Sequence, residues 1–203
     1  MIALPRLYAV ADQTFGAPVA LAAALFSGGA QLVQIRDKTA TAQRLLAEVE
    51  EALKAAPPGA RLIVNDRSDV ARISGAAGVH LGQHDLSPVL ARRTLAPGQI
   101  VGYSTHSLSQ AMEADKELLD YIAVGPIFAT TTKMYPDPVV GLDLLREICS
   151  KVTRPVVAIG GITLETAGDV LACGATSVAV IGDLLKHGSV AARTREWINH
   201  LES

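Results

Sequence analysis

The residues able to do chemistry sit in short polar stretches that follow apolar runs. Gln34, Arg36 and Lys38 alternate at the end of one run, Asn65 and Asp66 close another, and Asp85 follows a third. A planar guanidinium meets a phosphate bidentately, and a lysine ammonium acts as a point charge. Two cations beside two acids could be an ion-pair network. Burying that many charges for stability alone is inefficient, because desolvation offsets the attraction. A ligand carrying several phosphates accounts for Arg36 and Lys38 better. Asp66 and Asp85 suit a hard divalent cation such as Mg2+, which takes one or two carboxylates and fills its remaining positions with water and phosphate oxygens. A cap or turn role for each acid and an acid/base dyad are the competing readings. Neither Asp stands in an apolar stretch that would raise its pKa.

A second kind of anion site is legible further along. Gly125-Pro126-Ile127-Phe128-Ala129 leads into Thr130-Thr131-Thr132-Lys133, three hydroxyls and an ammonium with no acid among them. Hydroxyls, backbone N–H groups and a lysine are what a multiply charged oxyanion needs. Gly160-Gly161 and, later, Gly182 put bare backbone after two further apolar runs, and such backbone at a helix start is a phosphate cradle. Paired acids with cations suit a metal-bound pyrophosphate, and a backbone nest suits a monophosphate. Two phosphorylated substrates joined with loss of pyrophosphate would use both.

The elements that must position these residues alternate regularly. Strands are expected at Leu7–Ala11, Gln31–Arg36, Leu62–Val64, Gly78–Leu81, Ile100–Tyr103, Tyr121–Val124, Pro155–Ile159 and Ser177–Ile181. They are short, apolar and rich in β-branched residues, as strands covered on both faces must be. Between them run helical segments at Val19–Phe26, Thr41–Ala56, Asp69–Ser74, Pro88–Leu95, Ser107–Leu119, Leu142–Val152, Leu164–Ala172 and Val190–Leu201. Leu45, Leu46, Val49 and Leu53 mark one face of the second helix, and Ser87 before Pro88 is an N-cap signal. Eight strand–helix units of about 25 residues each predict a single-domain (β/α)8 barrel over residues 1–203, with the site at the strands' C-terminal ends. An open doubly wound sheet is the rival. It lacks support, because no Gly-rich dinucleotide fingerprint follows the first strand.

Composition narrows the function class. Aromatic residues are 4% of the chain and the apolar set is 49%, so aliphatic side chains must do the packing. A net charge of −2 argues against a sequence-independent nucleic-acid or membrane surface. No apolar run reaches transmembrane length, and Met1 to Asp12 lack a secretory pattern, so a cytoplasmic location is expected. Cys149 and Cys173 have no metal-ligand spacing and are expected to be free thiols. Of five histidines, His80 is expected in the core, His84 and His106 at the mouth, and His187 and His200 on the surface. Trp197 is expected to pack the last helix.

Taken together, Leu7-Tyr8-Ala9-Val10, Gln34-Ile35-Arg36-Asp37-Lys38, Asn65-Asp66, His80-Leu81-Gly82-Gln83 with Asp85, Gly102 with Ser104-Thr105-His106, Gly125-Pro126-Ile127-Phe128 with Thr130, Thr132 and Lys133, and Ile159-Gly160-Gly161-Ile162 resemble the thiamine-phosphate synthase family, in order along nearly the whole chain. The resemblance implies a (β/α)8 transferase that condenses 4-amino-2-methyl-5-hydroxymethylpyrimidine diphosphate with a thiazole phosphate, giving thiamine phosphate and pyrophosphate. It implies that Gln34, Arg36, Lys38, Asn65 and Lys133 hold the pyrimidine diphosphate. Asp66 and Asp85 would bind Mg2+, Ser104 would contact the pyrimidine, and Thr130, Thr132, Gly160, Ile181 and Gly182 would hold the thiazole phosphate. Arg36, Lys38 and Lys133, with the metal, would stabilise the departing pyrophosphate. The implied pathway is dissociative, with Ala129 to Val140 as a lid. The thiazole nitrogen already carries a lone pair and needs no general base.

Two positions depart from the family pattern: Asp37 stands where glutamate is usual, and Gly182 where serine is common. A thiazole tautomerase-like paralogue sharing the barrel is one alternative, but Pro126 occupies the place of its histidine. A non-catalytic phosphate-ligand-binding barrel is another, and it would not need paired acids. The expected partners are two phosphorylated small molecules, not nucleic acid or membrane, and a homodimer is left open.

Overall fold

The computed structural model describes residues 3–130, 137–186 and 188–202. Among them, eight parallel strands close into a barrel in chain order: β1 (Leu7–Asp12), β2 (Leu32–Arg36), β3 (Arg61–Asn65), β4 (Gly78–Leu81), β5 (Ile100–Thr105), β6 (Tyr121–Val124), β7 (Val156–Ile159) and β8 (Ser177–Val180). Closure is made by β1 on β8, where Leu7 registers with Val178 and Ala9 with Val180. The open-sheet rival is thereby excluded. The strands are buried on both faces, so their hydrophobic runs are nearly continuous rather than alternating.

Side chains still alternate in direction. Tyr8, Leu32, Ile63, Ile100, Tyr121, Ala123, Val157 and Ala179 pack together as one buried cluster that fills the barrel. Leu7, Ala9, Val33, Ile35, Leu62, Val64 and Val101 join a second, larger cluster under the helices. Inward parity continues up the strands, from Tyr8 to Val10 and Asp12, and from Leu32 to Gln34 and Arg36. A period of two thus carries the apolar plug at the bottom into the polar mouth at the top.

The helices are α1 (Pro18–Ser27), α2 (Ala42–Ala55), α3 (Ser68–Ser74), α4 (Pro88–Thr94), α5 (Leu108–Ala114), α6 (Gly141–Lys151), α7 (Ala167–Ala172), α8 (Gly182–Leu185) and α9 (Val190–Glu202). Thr41 caps α2 by accepting from Arg44 N, and the helix buries Leu45, Val49 and Ala52. Leu46 and Leu53 pack at the edge of the same face. The helix expected from Ser107 to Leu119 stops at Ala114. Asp115 instead turns its carboxylate to the backbone N–H groups of Thr153 and Arg154, tying the start of β7 to the end of α5. The helix expected from Leu164 starts at Ala167, because Thr166 Oγ1 accepts from Thr163 N and holds a turn first. A 3-10 turn at Gln13–Phe15 and the short α8 have no apolar periodicity and were not foreseen. Trp197 on α9 is fully buried, as expected, and its Nε1–H donates to Asp183 at 2.6 Å. Cys149 and Cys173 are free thiols. Among the described residues, no helix is long and apolar enough to cross a membrane.

Candidate active site

The strands' C-terminal ends enclose a cavity of about 880 Å³. Gln34, Arg36, Lys38, Asn65, Asp66, Asp85, Ser104, Thr130, Gly160, Ile181 and Gly182 all line it. Thr132, Lys133, the surrounding Thr131–Pro136 stretch of the expected lid, and His187 lie outside the described residues.

On one side of the mouth the charges interlock. Lys38 Nζ lies 3.1 Å from Asp66 Oδ2. Asp66 has φ 63°, the left-handed region that non-glycine residues seldom enter and that aspartate tolerates better than most. Its backbone N–H donates to His80 O at 2.8 Å, which fixes that turn against β4. Asp85 accepts from Gly82 N at 2.7 Å. Burial, together with the adjoining Asp66 carboxyl, pushes the Asp85 carboxyl above the usual carboxylate range, although the Gly82 N–H pulls the other way. The environment therefore differs from the sequence-based expectation that neither Asp would be raised. The reason is tertiary: the fold half-buries a residue whose own segment is polar and sets it beside Asp66.

A raised Asp85 carboxyl beside the Asp66 carboxyl at the adjoining strand end fits a hard dication, which replaces their repulsion by attraction. Among the described residues, no third His, Cys, Asp or Glu joins them. That donor set is too poor for a dedicated protein cage, and it matches an ion completed by water and phosphate oxygens.

Arg36 is anchored from behind. Its Nη1 pairs with Asp12, a fully buried carboxylate at the end of β1 that also accepts from Thr14 N at 2.9 Å and Thr14 Oγ1 at 2.8 Å. Asp12 thus orients a guanidinium whose other N–H groups remain for the cavity. Asp12 is not among the site residues expected from the sequence; its inward parity with Tyr8 and Val10 is the signal that could have found it. Asp37, by contrast, turns away from the cavity. It accepts from Thr39 N at 2.7 Å and Ala40 N at 2.9 Å and pairs with Arg44 at 2.7 Å. Its burial alone would raise its pKa, but these hydrogen bonds outweigh that and lower it.

The opposite side is built from backbone. Gly160 and Gly161 have φ of 101° and 66°. A Cβ at Gly160 would lie 2.6 Å from Pro126 Cα, and one at Gly161 would lie 2.5 Å from Ala129 O. Both positions therefore need glycine on two counts. Lys186, one turn beyond Gly182, also lines the cavity and lies over the Phe15 ring at 5.9 Å. A Cβ at Gly182 would fall 3.7 Å from its Nζ. Sequence reasoning passed over Lys186 because α8 was not foreseen.

Beneath the mouth runs a buried polar chain. Gln34 Nε2 donates to Tyr8 OH at 2.9 Å, Tyr8 OH meets Tyr121 OH at 3.0 Å, Tyr121 OH meets His80 Nδ1 at 2.9 Å, and His80 Nε2 meets Ser104 Oγ at 2.9 Å. His80 is buried as expected, and burial lowers its pKa to about 4. It is nonetheless a cavity residue and not an inert core histidine. His84 and His106 reach the mouth as expected. His106 Nδ1 contacts Gly125 O at 2.6 Å, and Nε2 lies 3.6 Å from Asp137.

A closed eight-stranded barrel with a polar, doubly anion-suited mouth at its strand ends is the architecture of a (β/α)8 enzyme. Residues 7–184 match the family model described as thiamine monophosphate synthase. The thiamine-phosphate synthase of Koribacter versatilis (strain Ellin345) is 49% identical over 189 residues, covering 90% of each chain. That of Chlorobium phaeovibrioides (strain DSM 265 / 1930) is 42% identical over 199 residues, 98% of this chain and 95% of its own. A solved thiamine phosphate pyrophosphorylase from Pyrococcus furiosus superposes with a TM-score of 0.88 at 34% identity, covering 97% of this chain and 95% of its own. The chain belongs to the thiamine monophosphate synthase family and is a transferase of thiamine biosynthesis.

Proposed function

We propose that the chain, acting as one domain, condenses 4-amino-2-methyl-5-hydroxymethylpyrimidine diphosphate with a thiazole phosphate, releasing pyrophosphate and thiamine phosphate. The observation that carries this reading is the convergence of Asp66, Asp85, Lys38 and Arg36 on one side of a single cavity that has glycine backbone on the other. Asp66 and Asp85 would hold Mg2+, which supplies positive charge to the leaving diphosphate. Arg36, steadied by Asp12, holds a phosphate oxygen pair, and Lys38 adds charge where negative charge accumulates. Lys133, carried over from the family pattern, serves the same group. Asn65, buried at the end of β3, donates its amide to the diphosphate.

The C–O bond to pyrophosphate breaks with its electron pair leaving on oxygen, and the electron-rich aminopyrimidine stabilises the methylene cation. The thiazole nitrogen lone pair then forms the new C–N bond. No proton is removed in this step, so it needs no general base. Gly160, Ile181 and Gly182, with Thr130 and Thr132, hold the thiazole phosphate, and Lys186 adds an ammonium at that end. The departure at Gly182 removes a hydroxyl, and Lys186 lies within reach of the space it leaves.

The test is pyrophosphate release by purified protein given both substrates with Mg2+, against the same mixture with a chelator. Release that needs both substrates and the metal, and that falls at least 100-fold in Asp85→Asn, is expected (on the order of a lost metal ligand). Release with the pyrimidine substrate alone, or metal-independent turnover, overturns the reading.

A further inference from the structure

The buried chain from Gln34 to Ser104 does more than fill the barrel. Its middle member, Tyr121, is fully buried and does not line the cavity, so any influence it has on a ligand passes through its neighbours. Its place is specially provided. A Cβ at position 102 would lie 2.0 Å from Tyr121 Cζ and 2.3 Å from its hydroxyl, so only glycine lets the ring cross β5 to reach the barrel axis. There the ring stacks on His80, with centroids 5.7 Å apart and planes 13° apart, and meets Tyr8 edge-on.

Donor bookkeeping gives the chain one sense. Gln34 donates an N–H to Tyr8 OH. If Tyr121 donated to Tyr8 as well, the Tyr8 proton would need a third partner, and none is present among the described residues; a buried orphan donor is costly. Tyr8 therefore donates to Tyr121, and Tyr121 donates to His80 Nδ1. Among the described residues, no carboxylate reaches either ring nitrogen of His80, so the ring is neutral and carries its proton on Nε2. Nε2–H donates to Ser104 Oγ, which leaves the serine proton for the cavity. At the other end Gln34 lines the cavity, and with Nε2 committed to Tyr8 its Oε1 is left as the acceptor for a ligand.

We infer that Tyr8, Tyr121 and His80 are positioning residues that fix the hydrogen-bonding polarity of Gln34 and Ser104, presenting a carbonyl acceptor and a hydroxyl donor to the substrate. The ligand class this selects offers an amino N–H beside a ring nitrogen lone pair. A 4-oxo pyrimidine, with ring N–H and carbonyl oxygen exchanged, meets the reversed pattern and is rejected. The inference rests on the pyrimidine substrate proposed above, but half of its test does not.

That half is the His80 tautomer in ligand-free protein, read by long-range 1H–15N correlation on 15N-histidine-labelled material. The Nε2–H tautomer at neutral pH is expected; the Nδ1–H tautomer or an imidazolium overturns the inference whatever the substrate. The other half is Tyr121→Phe, which keeps the ring and removes the hydroxyl. Relative to the wild type, KM for the aminopyrimidine diphosphate should rise about tenfold with kcat changed far less, and the preference for amino over 4-oxo diphosphate as inhibitors should fall about tenfold, one buried hydrogen bond's worth. A Tyr121→Phe protein that folds, keeps the preference and keeps its His80 tautomer overturns the positioning role. Failure of the wild type to turn over any pyrimidine diphosphate, with the tautomer as expected, would sink the proposed function and leave the polarity standing.

Discussion

Asp37 sits between two cavity residues in sequence, yet its carboxylate faces the β2–α2 turn. Alternation explains this, since Arg36 and Lys38 share a direction that Asp37 cannot. Its partners are two backbone N–H groups and Arg44, and they hold its pKa below the ordinary value. A carboxyl with a lowered folded-state pKa stabilises the fold above its unfolded value and loses that contribution as pH falls through the folded value. Asp37→Asn should therefore cost about 1 kcal/mol at neutral pH, the scale of a lost cap. The gap between the two melting curves should close on acidification below pH about 4. A gap independent of pH would contradict the assignment. The departure from glutamate at this position consequently concerns the turn and not the cavity.

Elements carry the next layer of constraint. β5 and β6 run side by side with Gly102 registered to Tyr121, and the missing Cβ on one strand houses the ring of the other. Gly102→Ala should lower stability by about 2–3 kcal/mol through overpacking, measured by urea unfolding. It should also disturb the His80 tautomer, because the ring cannot stay in place. The positions of strands were legible because a doubly covered strand must be a short apolar run. The ends of α5 and α7 were not, because Asp115 and Thr166 spend their side chains on backbone groups distant in sequence or just ahead of the helix. Gln34, Arg36, Lys38, Asp66 and Asp85 could be read as a group because charges at strand ends are conspicuous. Asp12, Tyr8, Tyr121 and Lys186 could not: the first three look like ordinary strand residues until closure brings them together, and the last rides on a helix of four residues.

At the scale of the whole molecule, closure and site share a fastening. Trp197 on α9 is fully buried and donates to Asp183, which also pairs with Arg193 at 2.7 Å. Asp183 in turn lines the cavity beside Gly182. Trp197→Ala should destabilise the protein by about 3–5 kcal/mol, with a smaller loss for Trp197→Phe, both read from chemical denaturation. A loss no larger than that of an exposed substitution would show that α9 is dispensable to the barrel. Asp12, Arg36, Lys38, Asp66 and Asp85 come from the ends of β1 to β4, and the glycine backbone comes from the ends of β7 and β8. Whatever each bank grips, the two grips are encoded in opposite ends of the gene. Recombination near its middle could exchange one specificity while inheriting the other intact, and lineages could diverge in the second reactant without relearning how to handle the first.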